Sequence, residues 1–172
     1  MLTFERPHAA LADSYRSMIA EFRAAGEDLI PFPLAYENEE FDTFLRRLDD
    51  DSQGRNIPAG WVPASTFWLV ADGEVVAVSN LRHRLTDSLR HEGGNIGYGV
   101  RPSARRRGHA TAILRHTLEE ARAVGLDRVL VTCSKENEPS ARTILRCGGR
   151  LDSEEWIPER EEIVQRYWIT LD

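Results

Sequence analysis

The stretch from Asn95 to Cys133 limits what this chain can fold into more than any other part of it. It opens with "NIGYGV", passes through "RPSARRRG" into "HATAILRHTLEEARAVG", and closes with "RVLVTC". In the middle piece Ala110, Ile113, Leu114, Leu118 and Ala121 recur at the spacing of one helix face, and Gly125 supplies a stop. The closing piece is apolar without alternation, as a strand covered on both faces tends to be. A strand, a helix and a second strand in that order form a right-handed crossover, which needs one sheet with helices packed on it.

The flanking sequence fits such a domain. Leu11, Tyr15, Met18, Ile19 and Phe22 have helical spacing, and a first helix should end near Gly26. A shorter helix is expected around Phe41, Phe44, Leu45 and Leu48, followed by an exposed loop from Gly54 to Pro63. Two β-branched and aromatic runs flank Asp72-Gly73, a strong hairpin signal. The stretch 82–94 reads as a polar, basic loop, "EPSARTILRC" as a short helix, and "LDSEEW" and "IVQRYWITL" as closing strands. The expected fold is therefore one α/β (α+β) domain over 1–172, with a central mixed, mostly antiparallel sheet flanked by helices. Residues 1–62 would form an N-terminal helical part, and 157–172 a C-terminal strand.

The turn into the long helix carries the chemistry. A helix start exposes unpaired N–H groups and a partial positive charge, a combination that favours anions. Gly108 allows close approach to the backbone, and from Arg101 to Leu118 there are five arginines and no carboxylate. The physical reading is a pocket in which main-chain amides, helped by Arg105, Arg106 and Arg107, hold a pyrophosphate. There is no G-x-x-x-x-G-K-[ST], and the two glycines of "GYGVRPS" lie inside the strand, so neither common nucleotide loop is present.

"RRRGHA", Arg105 to Ala110, resembles the R/Q-x-x-G-x-G/A signature of the GNAT family of N-acetyltransferases. Its setting resembles the family too, between a strand and an amphipathic helix. "NEPSARTILRCGG" is similar to the family's second cofactor segment at Asn137, Ser140, Gly148 and Gly149. The resemblance spans about residues 65–156, which would be the acetyl-CoA-binding core, and it implies acetyl-coenzyme A as the donor co-substrate. It also implies that amides of Arg105, Arg106, Arg107, Gly108, His109 and Ala110 bind the pyrophosphate. The main chain at Val100 would pair with the pantetheine arm, and Asn137 and Ser140 would contact the pantetheine or sulfur end. The implied reaction is direct attack of an amine, on a small molecule or a protein, on the thioester.

An alkyl amine with a pKa of about 10.4 is mostly protonated at neutral pH, so a base should deprotonate it and an acid can assist the leaving thiolate. Many GNAT members carry a glutamate early in the strand before the cradle and a tyrosine in the later helix. Here those places fall to Asn95 and Ile144, which can do neither job. Glu92, His83 or His91 could supply the base and Tyr98 the acid, or solvent could carry the proton while the enzyme acts by proximity. The plainer readings of those residues are strong: surface loop positions for His83 and His91, a solvated charge for Glu92 and a core aromatic for Tyr98. The missing pair also leaves room for a non-catalytic acyl-coenzyme A sensor.

The net charge of −6 argues against nucleic acid as a partner, although the arginine segment keeps that reading open at a distance. No run approaches a membrane span, and the N-terminus lacks a basic-then-apolar leader, so a cytoplasmic location is expected. Cys133 and Cys147 have no metal spacing, and His109 and His116 stand two helical turns apart, so no metal site is expected. A homodimer through an exposed edge strand such as "IVQRYWITL" is a further expectation.

Overall fold

A computed structural model describes residues 1–36 and 40–172. The elements in order are β1 (Leu2–Glu5), α1 (Ala12–Ala24), α2 (Phe41–Gln53), β2 (Ala64–Ala71), β3 (Glu74–Arg82), α3 (Asp87–His91) and β4 (Ile96–Val100). Then come α4 (His109–Ala123), β5 (Arg128–Ser134), α5 (Glu138–Arg146), β6 (Arg150–Ile157) and β7 (Glu162–Thr170), with 3-10 turns at Ala9–Leu11, Phe32–Tyr36 and Pro102–Ala104. The β2–β3 hairpin turns at Asp72-Gly73, both at positive φ.

The strands form two antiparallel sheets rather than one, in the orders β1-β2-β3-β4 and β5-β7-β6. They meet at Asn95. Its amide donates to the Leu130 carbonyl at 2.7 Å, and its side-chain Oδ1 accepts from the Leu130 amide at 2.8 Å. On the other side its carbonyl accepts from the Arg82 amide at 2.7 Å, while Nδ2 donates to the Arg82 carbonyl at 3.2 Å. One buried side chain thus replaces a ladder bond to each sheet, and no ladder joins β4 to β5 beyond it among the described residues.

Alternation along the strands sorts the core into two layers. Trp68, Val70 and Val78 pack under Tyr15, Met18, Ile19 and Phe22 of α1 and Phe44 and Leu48 of α2. Phe67, Leu81 and Ile96 point the other way, onto Leu114 and Leu118 of α4, where Val129, Val131, Ile144 and Tyr167 join them. A buried Ser79–Thr117 hydroxyl pair at 2.6 Å fixes α4 on β3. Arg101 ties α1 to the turn after β4, donating to Glu21 at 2.7 Å and to Ser17 at 2.6 Å.

Three expectations need correction. The N-terminal part is not purely helical, because Leu2–Glu5 pair with β2 and cover what would be its open edge, with Phe4 stacked on Phe67. The basic loop contains α3, one short turn of helix capped by Thr86. The strand over Glu162–Thr170 is no edge: it is paired on both sides, and the edges of its sheet are β5, which faces β4 across the seam, and β6.

Candidate active site

Beyond Asn95 a cleft of about 1280 Å³ opens along β4 and runs from one face of the sheets to the other. Tyr98, Gly99 and Val100 form its floor, the turn and first residues of α4 one wall, and the start of α5 another. Phe22, Glu27, Asp28 and Ile30 close it on the α1 side. A smaller pocket of about 260 Å³ between α1 and α2 contains none of the candidate catalytic or cofactor-binding residues named above.

The strand register decides which backbone groups face the gap. The Arg101 amide donates to Val76 and the Arg82 amide to Asn95, so the residues between them at odd positions bond β3. The amides of Tyr98 and Val100 therefore face the open side. Small residues between them have a different task. A Cβ on Gly99 would lie 2.4 Å from the Ile30 carbonyl oxygen, so glycine there lets the Ile30–Pro31 segment lie across β4, while one on Gly97 would make a tight 3.3 Å contact with Pro31.

The turn into α4 is shaped by its dihedrals. Arg106 (φ 61°) and Gly108 (φ 84°) lie in the left-handed region with Arg107 between them. Such alternation turns successive N–H groups toward a common side and makes a concave anion seat. Among the described residues the amides of 106–111 meet no protein acceptor, and the first amide of the helix to do so is Ala112, which donates to Gly108. Arg106 and Arg107 are exposed beside this row, and Arg142 and Arg146 of α5 line the same cleft.

Arg105 differs from its neighbours. Its guanidinium donates to both oxygens of Glu27, at 2.7 and 2.5 Å, and through Nε to the Val100 carbonyl at 3.2 Å. Its amide makes only a long 3.4 Å bond to Pro102. Arg105 holds the Glu27 carboxyl below the usual carboxylate range, so the pair is a closed ion pair at the cleft mouth. The expectation of three arginines turned to one anion narrows to two.

At the other end Tyr98 shares a 2.8 Å hydrogen bond with the Ser140 hydroxyl, and burial pushes its phenol up to about 12. Asn137 caps α5, its Oδ1 accepting from the Ser140 amide at 3.3 Å. Burial also pushes the Cys133 thiol up to about 11, so it stays protonated beside them. His109 lines the cleft, and burial with Arg107 keeps it below the ordinary imidazole value.

Three candidates lie elsewhere. Glu92 sits beyond α3 against Arg160 at 3.5 Å, His83 follows β3, bonded to Ser65 at 2.8 Å, and His91 stands with Glu155 and Arg166. None of them lines the cleft. The sequence reading passed over Glu27, the Ile30–Pro31 segment and Arg142, because their approach to the cleft depends on contacts between distant segments.

Among the described residues no group of His, Cys, Asp and Glu could hold a metal, and no helix is long and apolar enough to cross a membrane. A family model described as the acetyltransferase (GNAT) family matches residues 27–148. No curated protein sequence matches the chain. Among solved structures, the microcin C7 self-immunity acetyltransferase MccE, in complex with acetyl-CoA and AMP, superposes with a TM-score of 0.72 at 17% identity over 98% of this chain and 92% of that one. RimJ of Mycobacterium smegmatis, in complex with CoA-disulfide, gives 0.72 at 19% over 98% and 81%. The putative acetyltransferase yncA of Salmonella typhimurium, with acetyl-CoA, gives 0.65 at 16% over 99% and 94%.

Proposed function

The chain belongs to the acetyltransferase (GNAT) family, and from that premise we propose that it moves the acetyl group of acetyl-coenzyme A to an amine by direct attack. The observation that carries the reading is the row of amides at 106–111, without protein acceptors, at the head of α4 and in the wall of the cleft. The diphosphate of the donor lies against this row, with Arg106 and Arg107 adding charge. The pantetheine arm follows the open edge of β4, where the Val100 amide donates to the thioester carbonyl as negative charge builds on its oxygen. Asn137 and Ser140 flank the sulfur end.

The neutral amine attacks the carbonyl carbon, the new C–N bond forms, and the C–S bond breaks with its electron pair on sulfur. Tyr98, kept as a phenol by burial, donates a hydrogen bond to that sulfur and is the acid of this scheme. Asn95 is committed to the seam between the sheets, and Glu92, His83 and His91 stand outside the cleft. The amine proton therefore passes to water, and holding the two reactants together supplies most of the rate.

Calorimetry with acetyl-coenzyme A tests the donor site. Binding is expected in the wild type and its loss in an Arg106→Glu, Gly108→Trp double variant that still melts cooperatively; no binding to the wild type at millimolar ligand refutes the reading. Buried Asn95 and Ile144, neither able to move a proton, favour a second reading as a non-catalytic acyl-coenzyme A sensor. Thiol release across an amine panel separates the two, since a sensor binds the donor and turns over nothing. The same proposal places the protein in the cytoplasm, where Cys133 and Cys147 stay reduced. A homodimer would use the β6 edge, where Leu151 and Trp156 are exposed.

A further inference from the structure

Arg101 and Arg166 are buried and Arg82 is half-buried, and only the first two have a carboxylate. Arg101 donates to Glu21 at 2.7 Å, and Arg166 to Glu155 at 2.6 Å. Arg82 has none among the described residues. Its Nη1 donates to the carbonyls of Gly93 at 3.0 Å and Gly94 at 3.1 Å, and its guanidinium carbon lies 5.6 Å from the centre of the Phe32 ring. Nε and Nη2 have no protein partner among the described residues. A cation partly removed from water without an opposite charge is costly, and burial alone lowers this group's pKa.

Its position gives the arrangement meaning. Arg82 shares a strand face with Asn80, away from α4, the side on which Ile30 and Pro31 cross β4. Gly93 donates to Thr132 Oγ1 at 3.3 Å, and Asn95 bonds Leu130, so the guanidinium is held on Gly93 and Gly94 at the seam that closes the gap, just past the residues that line the cleft. From Asn95 to Tyr98 is three residues of strand, roughly 10 Å. An acceptor whose amine meets the thioester near Tyr98 and Val100 would reach Arg82 if it extended past the cleft lining, along β4, to that seam. Phe32 and the half-exposed Trp61, with ring centres 5.3 Å apart, give that end an apolar flank.

We propose that Arg82 binds an anionic oxygen group of the acceptor, which makes the acceptor an amine that carries a carboxylate or a phosphate. This rests on the acetyltransferase reading given above. A guanidinium with two unused donors on neighbouring nitrogens matches both groups in a two-point geometry.

The test uses the intact chain with saturating acetyl-coenzyme A and matched acceptors. Amino acids from glycine to 6-aminohexanoate are compared with their carboxamides, and O-phosphoethanolamine with ethanolamine, which separates the two anions. A charge-assisted pair of bonds predicts kcat/KM about 10- to 100-fold higher for the anionic member of at least one set. Arg82→Gln should bring that ratio to about 1 mainly through KM, with Arg82→Lys between, and should leave the acetyl-coenzyme A Kd unchanged. Calorimetry with the N-acetylated acids and N-acetylphosphoethanolamine needs neither donor nor turnover. One of them should bind the wild type and not Arg82→Gln. If these ligands bind in that way while acetyl-coenzyme A does not, the donor reading falls and this one stands. Equal rates for charged and neutral acceptors overturn it. So does an equal loss for both in Arg82→Gln, or a wild type that binds the donor yet neither turns over nor binds any anionic ligand.

Discussion

Asn95→Ala tests whether the cleft is held by a single side chain. The Asn95 side chain is buried at 2% exposure, and the substitution leaves the Leu130 amide and the Arg82 carbonyl without their side-chain partners. A buried polar group stripped of its partner costs about 1–3 kcal/mol, so two give about 2–6 kcal/mol. The two main-chain bonds of Asn95 survive, which puts the expected loss in the lower half of that range, about 3 kcal/mol. With a urea m-value of about 2 kcal/mol/M, the unfolding midpoint should fall by about 1.5 M. With about 2.1 cal/mol/K of unfolding entropy per residue, the melting temperature should fall by about 8 °C. Native-state hydrogen exchange gives the local readout, since the Leu130 amide should lose protection well beyond the global change. A stability within about 0.5 kcal/mol of wild type, with Leu130 still protected, would refute the seam as described.

In Tyr98→Phe the phenol is removed, and the sign of the pH effect follows from its raised value. The folded state keeps the proton up to about 12 against 10.0 for the unfolded chain, so the stabilisation is complete below pH 10 and fades as pH rises toward 12. The stability gap between wild type and variant should therefore shrink by about 1 kcal/mol from pH 9 to pH 11 in urea titrations; a constant gap contradicts the burial argument. Glu27→Gln releases Arg105 from its ion pair, and acetyl-coenzyme A should bind about threefold tighter with a steeper salt dependence in calorimetry. Weaker binding would mean that the pair shapes the site rather than masking a charge. Gly99→Ala drives a Cβ to 2.4 Å from the Ile30 carbonyl, and should cost about 1–3 kcal/mol by thermal melt while raising acceptor KM more than donor Kd.

The parts of the fold that follow from local periodicity were readable in advance. The face of α4, the unbroken apolar run of β5, the Asp72-Gly73 turn and the glycine after the arginines all declare themselves over a few residues. Pairing does not. Four residues at Leu2–Glu5 are too few to show alternation, and β1 becomes a strand because β2 offers it an edge. An alternating, aromatic segment such as β7 has the same pattern whether it borders a sheet or sits inside one, and the order β5-β7-β6 is a tertiary fact. The site divides in the same way. The amide row follows from a turn and a helix start, whereas Arg105 is taken by Glu27, a residue 78 positions away that nothing in the arginine run announces. Glu92 and His83 lie close in sequence to the strands of the cleft, but α3 and the bonds to Arg160 and Ser65 carry them off it.

The bend between Arg105 and His109 keeps its form through torsion angles, since Arg106 and Gly108 carry the reversed twist and the helix behind them is anchored by Thr117. A surface drawn by main chain alone is indifferent to most of the side groups hung upon it. Chains that share little more than one residue in six can thus present the same outline, as the superposition with MccE at 17% identity does. Likeness of fold of this kind is written in bond rotations, and a letter-by-letter comparison of sequences reads it poorly.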